Sequence, residues 1–244
     1  MTQDKTPAAA LSPQTSDVPQ PQIVASCHGV DVPDSPYLNE TRIRRINESR
    51  YEREEIAGVL SVVGPDDRVL EVGAGIGLVG AIAAKACHPE TVLSFEGNPQ
   101  LIPVIRDLYA TNGLESRISV RNAILVAGAD QPKSMPFHIR KSYLGSSLLN
   151  PGQRPSQVVD VPTADFSTVC QVLNPTVLVM DIEGGELELL QNIDLTGFRA
   201  VVIEFHPDVY GVPGMRSCKR ALLDAGFVKQ EDVSTRKVWT CVRS

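Results

Sequence analysis

Clustered positive charge is missing from this sequence. Its 23 Lys and Arg stand against 29 Asp and Glu, for a net charge of −6, and no basic stripe runs along any segment. Binding along a phosphate backbone depends on grouped Lys and Arg, so no nucleic acid is expected as a partner. The densest basic stretch, residues 42–53, is mixed with Glu40, Glu48 and Glu52 and reads as a solvated helix face. Cysteine pairs are missing too. Cys27, Cys87, Cys170, Cys218 and Cys241 are scattered, without any C-x-x-C. No cationic-then-apolar leader opens the chain, and a reducing, cytoplasmic setting is expected. No apolar run approaches a membrane span. Residues 1–22 lack apolar periodicity and are rich in Pro, Gln, Ser, Thr and Ala, which predicts a disordered tail.

What is present is one α/β pattern. The 244 residues are 42% hydrophobic, enough for a single substantial core with appendages. Residues 68–77 read Arg-Val-Leu-Glu-Val-Gly-Ala-Gly-Ile-Gly, an apolar strand run leading into glycines at alternate positions. The segment 78–86 has helical composition, so its unpaired N–H groups face whatever lies over the glycines, as in a nucleotide-cofactor cradle. Two fingerprints overlap. Gly75, Gly77 and Gly80 satisfy G-x-G-x-x-G, with Glu96 about 20 residues on. The other frame, Glu71-x-Gly73-x-Gly75-x-Gly77, is the first motif of class I S-adenosylmethionine methyltransferases. An acid at Glu71 would repel a pyrophosphate and favour a ligand bearing ammonium and sulfonium charges, which supports the second frame.

A helical segment is expected over about 37–63 within an N-terminal extension, 23–64, closed by the turn Gly64-Pro65-Asp66-Asp67. Strands follow at 69–72, 91–96, 118–124, 177–181 and 200–205. Helices are expected at 78–86, 166–172, 186–191 and 215–225, and another to Thr111 opened by Asn98 as cap and Pro99 at its first position. Residues 126–162 read as a loop-rich insertion, with at most a short strand at Phe137-His138-Ile139. Strands at 227–230 and 237–242 form a hairpin, so the final strand is antiparallel. Repeated β–α units predict a mostly parallel sheet of about seven strands with helices on both faces.

Ligands in such sheets sit beyond the carboxyl ends of the strands. Glu96 ends the second strand, where a carboxylate can accept both ribose hydroxyls or serve the next helix N-terminus. Asn122 and Ala123 end the third, where they would read an adenine edge or simply make a turn. Asp181 ends an apolar run and is a candidate functional acid; Glu183 and Glu186 also suit the first turn of the next helix. His206 shares a strand face with Glu204 and can remove an acceptor proton or serve as a loop hydrogen-bonder. Asp181, Glu183, Glu204 and His206 admit a divalent metal as a minority reading, and no metal site is assigned.

The motifs at 70–77 and 95–99, with Gly145-Ser146-Ser147-Leu148, Val161 to Asp165, Met180 to Glu186 and Ile203 to Pro207, resemble the FkbM-type methyltransferase family. The resemblance implies a class I methyltransferase fold with S-adenosylmethionine contacts at Glu71, Gly73, Gly75, Gly77, Glu96 and around Asn122. Ala74, Leu78, Gly97, Asn98, Ala123 and Asp181 complete the expected cofactor set. The expected activity is O-methylation of a small molecule or glycan, with Asp181, Glu183 and His206 as catalytic candidates. Val179 stands where the family commonly has a lysine. Rivals are an NAD(P)-dependent oxidoreductase using the overlapping frame and a non-catalytic binding protein of the same fold.

Overall fold

The computed structural model describes residues 21–140 and 156–243. The chain opens with a two-stranded antiparallel hairpin, β1 (Ile23–Cys27) and β2 (Val30–Pro33), followed by α1 (Glu40–Asn47) and α2 (Arg53–Val62). The extension expected to be helical therefore begins as a hairpin, and its helical part is broken in two between Glu48 and Glu52. Ser49 and Glu52 both take positive φ at this break, which stops one helix and redirects the next.

The main sheet contains β3 (Arg68–Val72), β4 (Thr91–Glu96), β5 (Ile118–Asn122), β9 (Val177–Met180), β10 (Ala200–Glu204), β11 (Phe227–Lys229) and β12 (Val238–Arg243). Their order is β11-β12-β10-β9-β3-β4-β5. The five strands from β10 to β5 run parallel, and β12 is antiparallel to both β10 and β11. This matches the expected seven-stranded sheet with its antiparallel last strand. Val177, Leu178, Val179 and Met180 of β9 are all buried because both faces of a parallel sheet are covered.

One face packs on the hairpin, α2, α3 (Leu78–Ile82, continuing as a π turn over Ala83–Cys87) and α4 (Ile102–Thr111). The other packs on α5 (Phe166–Leu173), α6 (Glu186–Asn192) and α7 (Pro207–Asp224). Helix α4 starts at Ile102, four residues after the expected cap. Asn98 instead closes a turn, its Oδ1 accepting from the Gln100 N–H at 3.0 Å. Within the insertion, β7 (Ser134–Ile139) pairs antiparallel with β8 (Gln157–Asp165), and β8 pairs parallel with the short β6 (Ile124–Val126). The expected short strand at 137–139 belongs to β7. The Gly145–Leu148 motif lies outside the described residues.

Opposite the glycine turn, at the N-terminal ends of the parallel strands, Asp67 ties three loops together. Its carboxylate accepts from the Gly64 N–H (2.7 Å), the Thr176 hydroxyl (2.7 Å) and the Arg199 Nε–H (2.7 Å), and also from a second guanidinium nitrogen. Burial alone would raise its pKa, but these donors and the Arg199 charge outweigh burial and hold the carboxyl below the ordinary aspartate value. The resulting stability is fully present above that ordinary value and is lost as pH falls through the lower folded one. Asp67→Ala should destabilise the fold by about 2–4 kcal/mol in urea denaturation at pH 7. The difference from wild type should shrink below about pH 4; a constant difference would contradict the assignment.

Candidate active site

The parallel strands end around an open cleft. Its floor is the turn after β3. Gly73 has φ +91°, and a Cβ there would lie 1.6 Å from the Asp181 carbonyl oxygen. Only glycine lets the β3 and β9 exits meet this closely. Of the residues singled out in the sequence, Gly73, Ala74, Gly75, Leu78, Glu96, Gly97, Ala123, Asp181 and Glu183 all line the cleft.

Four expected cofactor residues are placed differently. Gly77 caps α3 with φ +84° and is turned against Ile105 and Tyr109, so its small size serves helix packing. Asn98 is fully buried behind Glu96 and donates its N–H to that carboxylate at 2.6 Å. Asn122 stands outside the lining, its amide donating to the carbonyls of Glu96 (2.8 Å) and Gly97 (3.1 Å). Glu71 touches the wall, but its carboxylate accepts from the Ser94 hydroxyl and the Gly80 N–H beneath the glycine turn. Burial pushes its pKa up to about 7, so the argument from a Glu71 charge facing the ligand gives way to a bracing role.

Glu96 is 7% exposed, and it also braces the turn, accepting from the Gly75 N–H at 2.8 Å. Burial, opposed by the Asn98, Gly75 and Gly97 N–H groups, leaves its pKa at about 7. A carboxylate offers about four acceptor positions, so three N–H partners leave room for one hydroxyl, not the two expected.

The acids after β9 enclose His206. Glu186, fully buried, accepts from the Gly184 N–H (3.1 Å) and the Ile182 N–H (3.3 Å), and its Oε1 lies 2.9 Å from His206 Nδ1. The expected helix-dipole role of Glu186 thus becomes one of positioning His206. With the Nδ1 proton given to Glu186, Nε2 faces Asp181 Oδ1 at 3.5 Å and Glu183 Oε2 at 3.6 Å. Burial lowers the histidine pKa, while Glu186, Glu183 and Glu204 raise it further, and the net shift is upward. The side chain is 13% exposed and lies outside the cleft lining. His206 therefore stands behind Asp181 and Glu183, not in front of an acceptor.

Two acids that the sequence analysis had not placed at the site also enter the cleft. Glu52, assigned to a solvated face, and Glu55 both line it from the start of α2. Burial and then the Glu52 and Glu204 charges push the Glu55 carboxyl up to about 10, and Glu52 is raised to about 7 by burial and then Glu204. Asp181 is pushed well above the aspartate range by burial and then by Glu204, Glu52, Glu183 and Glu186. Glu52 and Glu183 hold positive φ of 42° and 53°, a cost of about 1–2 kcal/mol each for non-glycine residues. Phe137 and Met135 of β7 roof the opposite side. No Lys or Arg lines the cleft among the described residues.

A Rossmann-like sheet with an acid-lined cleft at its switch point is the fold of a nucleotide-cofactor protein. The chain belongs to the FkbM methyltransferase domain family, which it matches over residues 71–228, a family of S-adenosylmethionine-dependent methyltransferases. No match is found among curated proteins. Similar solved structures include a Streptococcus agalactiae protein of the NADB-Rossmann superfamily, at 13% identity and TM-score 0.45 over 77% of this chain and 65% of that one. Another is precorrin-6y C5,15-methyltransferase from Geobacter metallireducens, at 13% identity and TM-score 0.47 over 80% and 90%. M. capricolum TrmK, solved with S-adenosylhomocysteine, is 9% identical with TM-score 0.44 over 77% and 65%. The chain thus spans about two thirds of the length of the first and last of these.

Glu186→Ala removes the acceptor for two backbone N–H groups and the histidine ring at once. It should cost about 2–4 kcal/mol in denaturant unfolding. A cost below about 0.5 kcal/mol, typical of exposed positions, would contradict this bracing role.

Proposed function

We propose that this chain transfers a methyl group from S-adenosylmethionine to a hydroxyl of a neutral small molecule or glycan. The absence of Lys and Arg from the described cleft lining carries the reading. A pyrophosphate, a phosphorylated acceptor or a nucleic acid would meet only acids there, whereas an ammonium and a sulfonium find compensation. No helix among the described residues is long and apolar enough to cross a membrane.

The residues present fit the cofactor. Gly73, Ala74 and Gly75 offer backbone without bulky side chains, and Glu96 keeps acceptor capacity for one ribose hydroxyl. When bound, S-adenosylmethionine supplies a methyl group on positively charged sulfur, open to displacement by an oxygen nucleophile. Asp181 takes the acceptor proton, because its Oδ1 is buried without a hydrogen-bond partner at the cleft floor. Glu183 orients the acceptor beside it, and His206, held by Glu186, fixes both carboxylates from behind. His206 is thus a positioning residue in this reading, since the carboxylates separate it from the cleft.

Calorimetry should find binding of S-adenosylmethionine and S-adenosylhomocysteine and none of NADH; the reverse would favour the oxidoreductase. Glu96→Ala should weaken S-adenosylmethionine by about 1.5–3 kcal/mol, through loss of a charged acceptor and of the turn it braces. Asp181→Asn should lower turnover by roughly 10²–10⁴ on a panel of neutral polyols and glycans, read as S-adenosylhomocysteine production. Cofactor binding without turnover of any neutral acceptor would favour the binding-protein alternative. Full activity of Asp181→Asn would remove Asp181 from the base role.

A further inference from the structure

Two groups of potential ligand atoms share one carboxylate. Oxygens of Glu52, Glu55 and Glu204 lie within 4.8 Å of one another, as do ligand atoms of Asp181, Glu204 and His206. Grouped carboxylates are common on surfaces without any cation, so the burial of Glu55 decides the matter. Glu55 is 5% exposed and turned into the group. Among the described residues the charges acting on it are those of Glu52, Glu204 and Asp181, its side chain shares a hydrogen bond with Glu204, and no Lys or Arg forms an ion pair with it. Carboxylates brought together out of water need a proton or a cation between them. Asp181 Oδ1, in the adjoining group, is likewise enclosed without a hydrogen-bond partner.

The second group carries a feature of its own. A histidine that ligates a metal commonly donates its other ring N–H to a carboxylate, which fixes the tautomer. Glu186 is the accepting carboxylate at Nδ1 of His206, and Nε2 is left facing the acids. The donors are carboxylate oxygens with one imidazole and no thiolate, the chemistry of Mg²⁺ and Mn²⁺ sites. Rigid elements supply them, since Glu55 sits in the first turn of α2 and Glu204 ends β10.

We infer that Glu52, Glu55 and Glu204 bind a hard divalent cation of the Mg²⁺ or Mn²⁺ kind, with Asp181 and His206 flanking the shared Glu204 carboxylate. Because Glu52 and Glu55 line the cleft, remaining coordination positions open toward the acceptor side. The cation offsets the negative charge gathered there and presents a Lewis acid to an incoming hydroxyl. The inference stands on these side chains alone and is independent of which acceptor is methylated.

The test uses the full chain, stripped with EDTA and titrated with MnCl₂ in the absence of cofactor and acceptor. Calorimetry should show saturable Mn²⁺ uptake with Kd below about 1 mM, and the six-line electron paramagnetic resonance of aqueous Mn²⁺ should diminish in parallel. Glu55→Gln and Glu204→Gln, close in shape to the native residues, should each weaken uptake about tenfold or more, with unchanged circular dichroism. Glu115→Gln, on the exposed surface away from the cleft, should leave it unaltered. Absence of saturable uptake in the wild-type chain overturns the inference, whatever the variants do. Uptake that survives both Glu55→Gln and Glu204→Gln places the ion elsewhere and overturns it equally. Neither result bears on S-adenosylmethionine binding, which is measured separately.

Discussion

The backbone contact between Gly73 and Asp181 sets the geometry on which everything at the cleft depends. The two central parallel strands leave the sheet side by side, with the Asp181 N–H still donating to the Val72 carbonyl at 2.9 Å. A side chain at residue 73 would push those exits apart. Because it is absent, the first glycine turn and the Asp181 turn form one continuous floor. Glu96 and Glu71 then brace the glycine turn from two sides, and Glu186 braces the other. The acids of this region divide accordingly: some hold backbone, and the rest face the open space.

The facing acids are costly to keep there. Desolvation and mutual repulsion both disfavour several ionised carboxylates in a half-enclosed cleft, and the described lining offers no fixed cation against them. A fold tolerates this where incoming ligands supply the missing positive charge. The same arrangement then discriminates against anions by repulsion, so selectivity requires no dedicated contact. A bound cation would reorder the protonation of every acid around it, because its charge becomes the largest local one.

Much of the sheet was legible in the sequence because buried parallel strands are short, continuous apolar runs closed by glycine, proline or acid. Val177 to Met180 and Ala200 to Glu204 are such runs, and their positions follow directly. Side-chain direction at the strand ends was not legible. His206 was read either as an acceptor base or as a loop hydrogen-bonder, and Glu186 from the next turn draws its ring behind Asp181 and Glu183. Glu52 and Glu55 were missed for a different reason. Acids three apart at a helix start ordinarily complement the dipole, and nothing local shows that this helix lies across the mouth of a cleft built about 150 residues later. Asn98 misled as a cap because its side chain does satisfy a nearby N–H, though in a turn and not at the start of a helix.

The hairpin at the start of the described chain packs into the core under the sheet and is also hydrogen-bonded to the sheet domain by Asn112. Asn112, at the end of α4, accepts from the Asp31 N–H at 2.9 Å and donates to the Asp31 carbonyl at 2.7 Å. Ser26 in turn donates its N–H to Asn47 at the end of α1. Hairpin, α1 and α2 thus form a clasp whose far end is the acid-bearing wall of the cleft. The stretch matched by the family begins at residue 71, so the wall that carries Glu52 and Glu55 lies before it. The chemistry of that wall is therefore set by how the clasp seats α2, while the glycine turn sets the floor independently.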